Sequence, residues 1–125
     1  MAAAAGWASE RDLRLGIVVL DARFIPACAL TMDGAYASVF NVARAKAKTA
    51  LNFGLPTSEL ATRIAPESRQ ALAGVEPGLM FVGGGLPIRA GDRVLGAVGV
   101  SGGSAAQDAE CAEHALAAVS WEAGP

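Results

Sequence analysis

Metal-binding and redox chemistry have almost no raw material in this sequence. It holds two cysteines, Cys28 and Cys111, and a single histidine, His114. No C-x-x-C pair occurs, and these three residues lack finger-type spacing, so a zinc site built by the protein is not expected. Free, buried thiols in a reducing cytoplasmic compartment are the simplest expectation for the cysteines. Positive charge is also scarce. Ten Lys and Arg stand against twelve Asp and Glu, a net charge of −2, which argues against a general nucleic-acid binder, whose domain is usually basic. Long apolar runs are missing as well: each is broken by charge, Gly or Pro well before the ~20 residues that a membrane span requires. The opening MAAAAGWASERD has no basic segment before its apolar residues and ends on Glu10, Arg11 and Asp12, so no signal peptide or membrane anchor is expected. The phosphate-loop pattern G-x-x-x-x-G-K-[ST] is absent, as is any convincing Ser-His-Asp order or paired-carboxylate motif.

What the sequence does have is small residues. Its 125 residues argue for one domain, 1–125. Hydrophobic residues make up 53% of the chain, but Ala supplies many of them. A core built from Ala with a limited set of Val, Leu, Ile and Phe is thin for a monomer, and self-association into a homo-oligomer is expected. Fifteen glycines crowd into two places, FVGGGLPI (81–88) and GVSGGS (99–104).

Local patterns predict a short helix over 1–9, then strands at 13–21 and 24–31, with Pro26 marking an edge or a bulge. MDGA (32–35) reads as a turn. The clearest helix covers 38–53, with Ser38 as its N-cap and Gly54 as its stop. A short helix capped by Thr57 follows over 57–64, and 65–78 reads as an irregular connection with room for one helical turn, because it holds two prolines and two glycines. LMFV (79–82) reads as a strand. LPIR (86–89) and RVLGAVGV (93–100) flank a hairpin turn at AGD. A closing helix over 104–121 opens with Ser104 and Gln107 at capping-box spacing. The order α-β-β-α-α-β-β-β-α implies an α+β domain with helices packed on a five-stranded antiparallel sheet.

On a helical wheel, Val39, Val42, Ala43, Ala50 and Phe53 share one face of the 38–53 helix, and Lys46 falls in its middle. Thr49 lies on the flank of that face. Asn41, Arg44, Lys48 and Asn52 take the solvent side. A lysine among apolar residues is costly unless its head is paired or reaches an edge. The same position suits a group that faces an anionic ligand. Gly102, Gly103 and Ser104, at the start of the last helix, either turn the chain or offer free amides to an anion. Gly83, Gly84 and Gly85, followed by Pro87, either bend a strand or leave room for a ligand. Asp33 has a turn role or a base role. Asp108, Glu110 and Glu113 suit the dipole of the last helix, and Asp108 is also a candidate base. His114, three residues after Cys111, is a surface or partly buried histidine or a haem or metal ligand.

The segments VVLDA, MDGA, ARAKAKTA, FGLPTSEL, GGGLPIR and VLGAVGVSGGS with its following QD resemble the GlcG/HbpS family of small bacterial proteins, whose domain also ends PduO-type proteins. The resemblance covers about 15–120 and is most specific over 83–108. It implies a PAS/profilin-like α+β fold, assembly as dimers up to octamers, and haem or corrinoid binding in some members. It also implies that Thr49, in the K-A-x-T-A segment, contacts haem iron. The ligand-binding set is then Lys46, Thr49, Phe53, Gly83, Gly84, Gly85, Pro87, Ser101, Gly102, Gly103 and Ser104. The chain departs from the family in a shorter N-terminal helix, in Arg23-Phe24 where glycines are common, and in the bulkier Tyr36 and Phe40. The expected function is binding of a small molecule, foremost haem or another tetrapyrrole. The other readings are an isomerase, tautomerase or hydrolase acting on a small unsaturated carboxylate through Lys46, Asp33 or Asp108, and an accessory oligomer without chemistry.

Overall fold

A computed structural model describes residues 1–118 of the chain. It contains α1 (Ala2–Glu10), β1 (Gly16–Asp21), β2 (Pro26–Thr31), α2 (Val39–Phe53), α3 (Thr57–Arg63), α4 (Pro66–Val75), β3 (Gly85–Ala90), β4 (Arg93–Ser101) and α5 (Ala105–Ala117). The expected continuation of the last helix through 119–121 lies outside the described residues.

The strands form one antiparallel sheet in the order β2-β1-β4-β3. It has four strands, not five, because LMFV (79–82) does not join it. The Met80 amide donates to the Thr49 hydroxyl at 2.7 Å instead of to a strand. The ladder starts only where the Gly84 carbonyl accepts from Val100 N at 2.9 Å. The region read as an irregular connection is the helix α4. Pro66 stands in its first turn, where the missing N–H costs nothing, and Pro77 lies beyond its end. These prolines mark the limits of a helix rather than its absence.

Both prolines of the sheet sit in edge strands, where a missing donor is tolerated: Pro26 in β2 and Pro87 in β3. Pairing of β1 with β2 slips between Val19 and Leu20, the bulge that Pro26 suggests. The β1–β2 turn hangs on Asp21, whose carboxylate accepts from the amides of Arg23 and Ile25. The Arg23 side chain bonds the same carboxylate and holds its pKa below the ordinary value.

Alternation along the strands buries both faces of the sheet. Val18, Leu20 and Ala97 face α2, against Ala43, Ala47 and Ala50. Ile17, Val98 and Val100 face α1 and α5, against Trp7, Ala8, Cys111, Ala112 and Ala115. The result is three layers, one helix on one side and two on the other. The alanine face lets α2 lie close to the sheet. At Gly99 even a methyl group would sit 2.8 Å from Ala47 N and would strike the Ala43 carbonyl. Phe53, expected on the core face, is partly exposed and packs instead on Phe81, with ring centroids 5.8 Å apart.

Candidate functional site

The core face of α2 meets the start of α5 at Lys46. Its Nζ donates to Asp108 Oδ2 at 2.8 Å and to the Val100 carbonyl at 3.1 Å. Lys46 is 2% exposed and Asp108 1%. The anion opposite Lys46 is therefore a side chain of this chain. The other carboxylate oxygen, Asp108 Oδ1, accepts from Gly103 N at 2.9 Å. Ser104 N donates to Gln107 Oε1, and Ser104 Oγ accepts from Gln107 N, so the predicted capping box is complete. The backbone amides that sequence offered to an external anion at Gly103 and Ser104 are thus taken by Asp108 and Gln107. Asp108 does more than balance the helix dipole, since it fixes α5 to α2 through a buried ion pair.

The triple glycine lines the same place. Gly84 has φ +131°, and a Cβ there would fall 3.0 Å from Lys46 Nζ and collide with the Val100 carbonyl. Gly83 and Gly85 lie equally close to the backbones of Ala105 and Lys46. The space that these glycines leave is filled by the chain's own helices. The signal for Asp108 was present: it shares the spacing i, i+3, i+4, i+7 with Cys111, Ala112 and Ala115, all buried on α5.

Thr49 has no exposed surface. Its hydroxyl donates to the Ala45 carbonyl and accepts from Met80 N, each at 2.7 Å. Thr57 is not a helix cap, since Pro56 takes that position. It is buried, and its hydroxyl accepts from Gly85 N at 2.8 Å and donates to Gly85 O, tying α3 to β3. No local pattern marks that role in the sequence. Ser101 is buried, 2.6 Å from the hydroxyl of the half-exposed Tyr36. Asp33 is exposed in the loop between β2 and α2, Phe53 packs on Phe81, and Pro87 is buried in β3.

The two thiols differ. Cys28 is exposed, contrary to expectation, because the edge strand β2 has little covering it. Cys111 is buried, and burial pushes its pKa up to about 11, with the nearby Asp108 carboxylate adding to the rise.

A protein-family model described as haem degrading protein HbpS-like matches residues 1–117. The chain belongs to the HbpS-like family. The fold of this HbpS-like chain is similar to that of a double mutant of Streptomyces reticuli HbpS, with TM-score 0.84 and 30% identity over 95% of this chain and 80% of that one. Klebsiella pneumoniae protein ORFY gives 0.86 and 31% over 95% and 86%. The PduOC:haem complex gives 0.87 and 26% over 94% and 87%. A 15.0 kDa protein encoded between dhaT and dhaS in Citrobacter freundii is 36% identical over 89 residues, which is 68% of this chain and 61% of that protein. That match spans less than two thirds of the Citrobacter relative.

Haem needs an iron donor, a flat apolar contact and cations for its propionates. In this HbpS-like chain the donor cannot be Thr49 in its present bonding. Among the described residues, exposed or half-exposed side chains with donor atoms suited to iron include His114, Cys28 and Tyr36. The apolar cavity bounded by Ile17, Val19, Cys28, Ile88, Val98 and Leu116 holds about 220 Å³, below the roughly 300 Å³ at which sites for drug-sized ligands begin. A buried donor without a partner, Trp7 Nε1, stands beside His114. The interior as described therefore does not fit haem, and His114 stands exposed on α5 as a donor outside it.

Proposed function

We propose that this HbpS-like chain binds haem or a closely related tetrapyrrole. The observation that carries the reading is the likeness to the PduOC:haem complex over 94% of the chain, joined to an exposed imidazole that can meet iron. Binding is favoured over turnover of a small carboxylate by the state of the Lys46 cluster. Two of the three ammonium donors of Lys46 are spent on Asp108 and Val100. Two of the three amides that would hold a developing oxyanion, those of Gly103 and Ser104, are spent on side chains of α5. Asp108, the candidate base, is buried and paired, and Asp33 stands away from the cluster.

Titration of the metal-free protein with haemin, followed at the Soret band, tests the proposal. A saturable shift at micromolar haemin is expected. A spectrum that remains that of free haemin across the titration would sink it.

A further inference from the structure

The apolar cavity that is too small for haem is built as a slot. One wall is the sheet. Val19 pairs with Cys28 on β2 and with Val98 on β4, and strand alternation puts Ile17 and Ile88 on that same face. The other wall is the end of α5, at Ala115 and Leu116. A space of about 220 Å³ lies between them. Ile17, Ile88 and Val98 form a buried floor. Val19 is half-buried and Cys28 exposed, so the slot opens toward the edge strand β2. It exists because α5 meets this face of the sheet with alanines. Ala112 and Ala115 are buried there, and a methyl group is too short to fill the layer.

Protein interiors hold few voids larger than a water molecule. An apolar void left empty forfeits contacts on every wall. Water does not suit this one, because a buried water needs about two to four polar partners. Among the described residues, the side chains that line the slot are hydrocarbon apart from the sulfurs of Cys28 and Met1. A dry cavity of about 150 Å³ already takes up benzene, so this one has room for one ring with a short substituent or a fused second ring. A sheet facing a helix leaves a flat space, and thiol and thioether sulfurs make favourable contacts with aromatic rings. No charged side chain lines the slot among the described residues, so a carboxylate or an ammonium group would enter it unpaired.

We infer that the slot between the sheet and α5 is a binding site for a small neutral aromatic molecule. The inference stands apart from the haem-binding reading. The ring lies against Ile17, Ile88 and Val98, and a polar substituent is accommodated only at the mouth beside Cys28, where it meets water.

The test titrates the full chain with toluene and with indole, followed by nuclear magnetic resonance and thermal unfolding. We expect saturable binding, Overhauser contacts from ring protons to the methyl groups of Ile17, Ile88 and Val98, and a rise in unfolding temperature. Ala115→Leu fills the slot from the α5 side and should weaken both ligands by about tenfold or more. Cys28→Phe blocks the mouth from an exposed position and is the second variant should the first fail to fold, judged by circular dichroism. No saturable binding of either ring overturns the inference, as does binding that survives both variants. Cyclohexane is apolar but not flat, and its binding as tightly as toluene would overturn the aromatic assignment. Trp121→Ala should bind as the parent does. Binding seen only in that variant would mean that the chain's own indole fills the slot, and the inference would fall. Ala115→Leu should also titrate with haemin as the parent does, and loss of haemin together with the ring would make the two sites one and overturn the separate site. If the parent gives no Soret shift at all, the haem-binding reading falls and this one stands on its own titration.

Discussion

A lysine and an aspartate buried from solvent are held, among the described residues, by each other and by two backbone groups. Lys46 has Asp108 and the Val100 carbonyl, and Asp108 has Lys46 and the Gly103 amide. Removing one partner strands the other charge in the interior. Lys46→Met should therefore cost about 3–5 kcal/mol in urea unfolding at neutral pH. Adding Asp108→Asn neutralises the stranded carboxylate and keeps an acceptor for Gly103 N. The double variant should be more stable than Lys46→Met alone by about 1–3 kcal/mol. A double variant that is no more stable than the single one would show that the buried charge is not the cost. Lys46 was legible in the sequence because a charge at the centre of an apolar helical face breaks the pattern. The apolar spacing of α5 marks Asp108 as buried, but not its pairing with Lys46, since 62 positions separate the two residues and a place in the first turn of a helix already gives Asp108 an ordinary explanation.

Glycine serves opposite ends in α4 and in β4. Gly74 lies in α4 with nothing within 4 Å of a Cβ, whereas a Cβ at Gly99 would meet the backbone of α2. Gly74→Ala should stabilise the chain by about 0.5–1 kcal/mol through helix propensity. Gly99→Ala should destabilise it by about 1–3 kcal/mol, because α2 must lift from the sheet. Thermal unfolding of the two variants beside the parent should give shifts of opposite sign, and a neutral Gly99→Ala would mean that α2 is not seated on β4 as described. The same contrast explains what could be read from the sequence. The α2 helix, the β3–β4 hairpin and the capping box of α5 carry their signals within a few residues, and they lie where the sequence places them. The fifth strand is absent and the connection over 65–78, read as irregular with a single helical turn, holds the longer helix α4, because apolar content and prolines do not say where hydrogen bonds go. LMFV is pinned by the Thr49 hydroxyl to α2, a contact that no local pattern carries.

The thin alanine core leaves apolar surface uncovered at two separate places. In β2, Pro26, Ala27, Cys28, Ala29 and Thr31 are all exposed, and the strand is an edge with free backbone donors and acceptors. Ile25, just before it, is 50% exposed, and Tyr36, just after it, is 47% exposed. In α4 no residue is buried, and Val75 is 83% exposed beside an open groove lined by Ile64, Ala71 and Leu72. Apolar surface of this kind on a small chain is ordinarily covered by another molecule. We expect the purified protein to run in light scattering at a multiple of 12.6 kDa. Ile25→Lys places a charge at the edge strand and should shift the population toward smaller species without lowering thermal stability at dilute concentration. Val75→Glu probes α4 in the same way. If both contacts are used, each variant should leave a different partial assembly, and the pair together should leave the monomer. A parent protein that is a clean monomer at high concentration would mean that neither surface is buried against a second copy. The apolar edge of β2 would then stand unprotected, and Ile25→Lys should raise solubility with no change in mass.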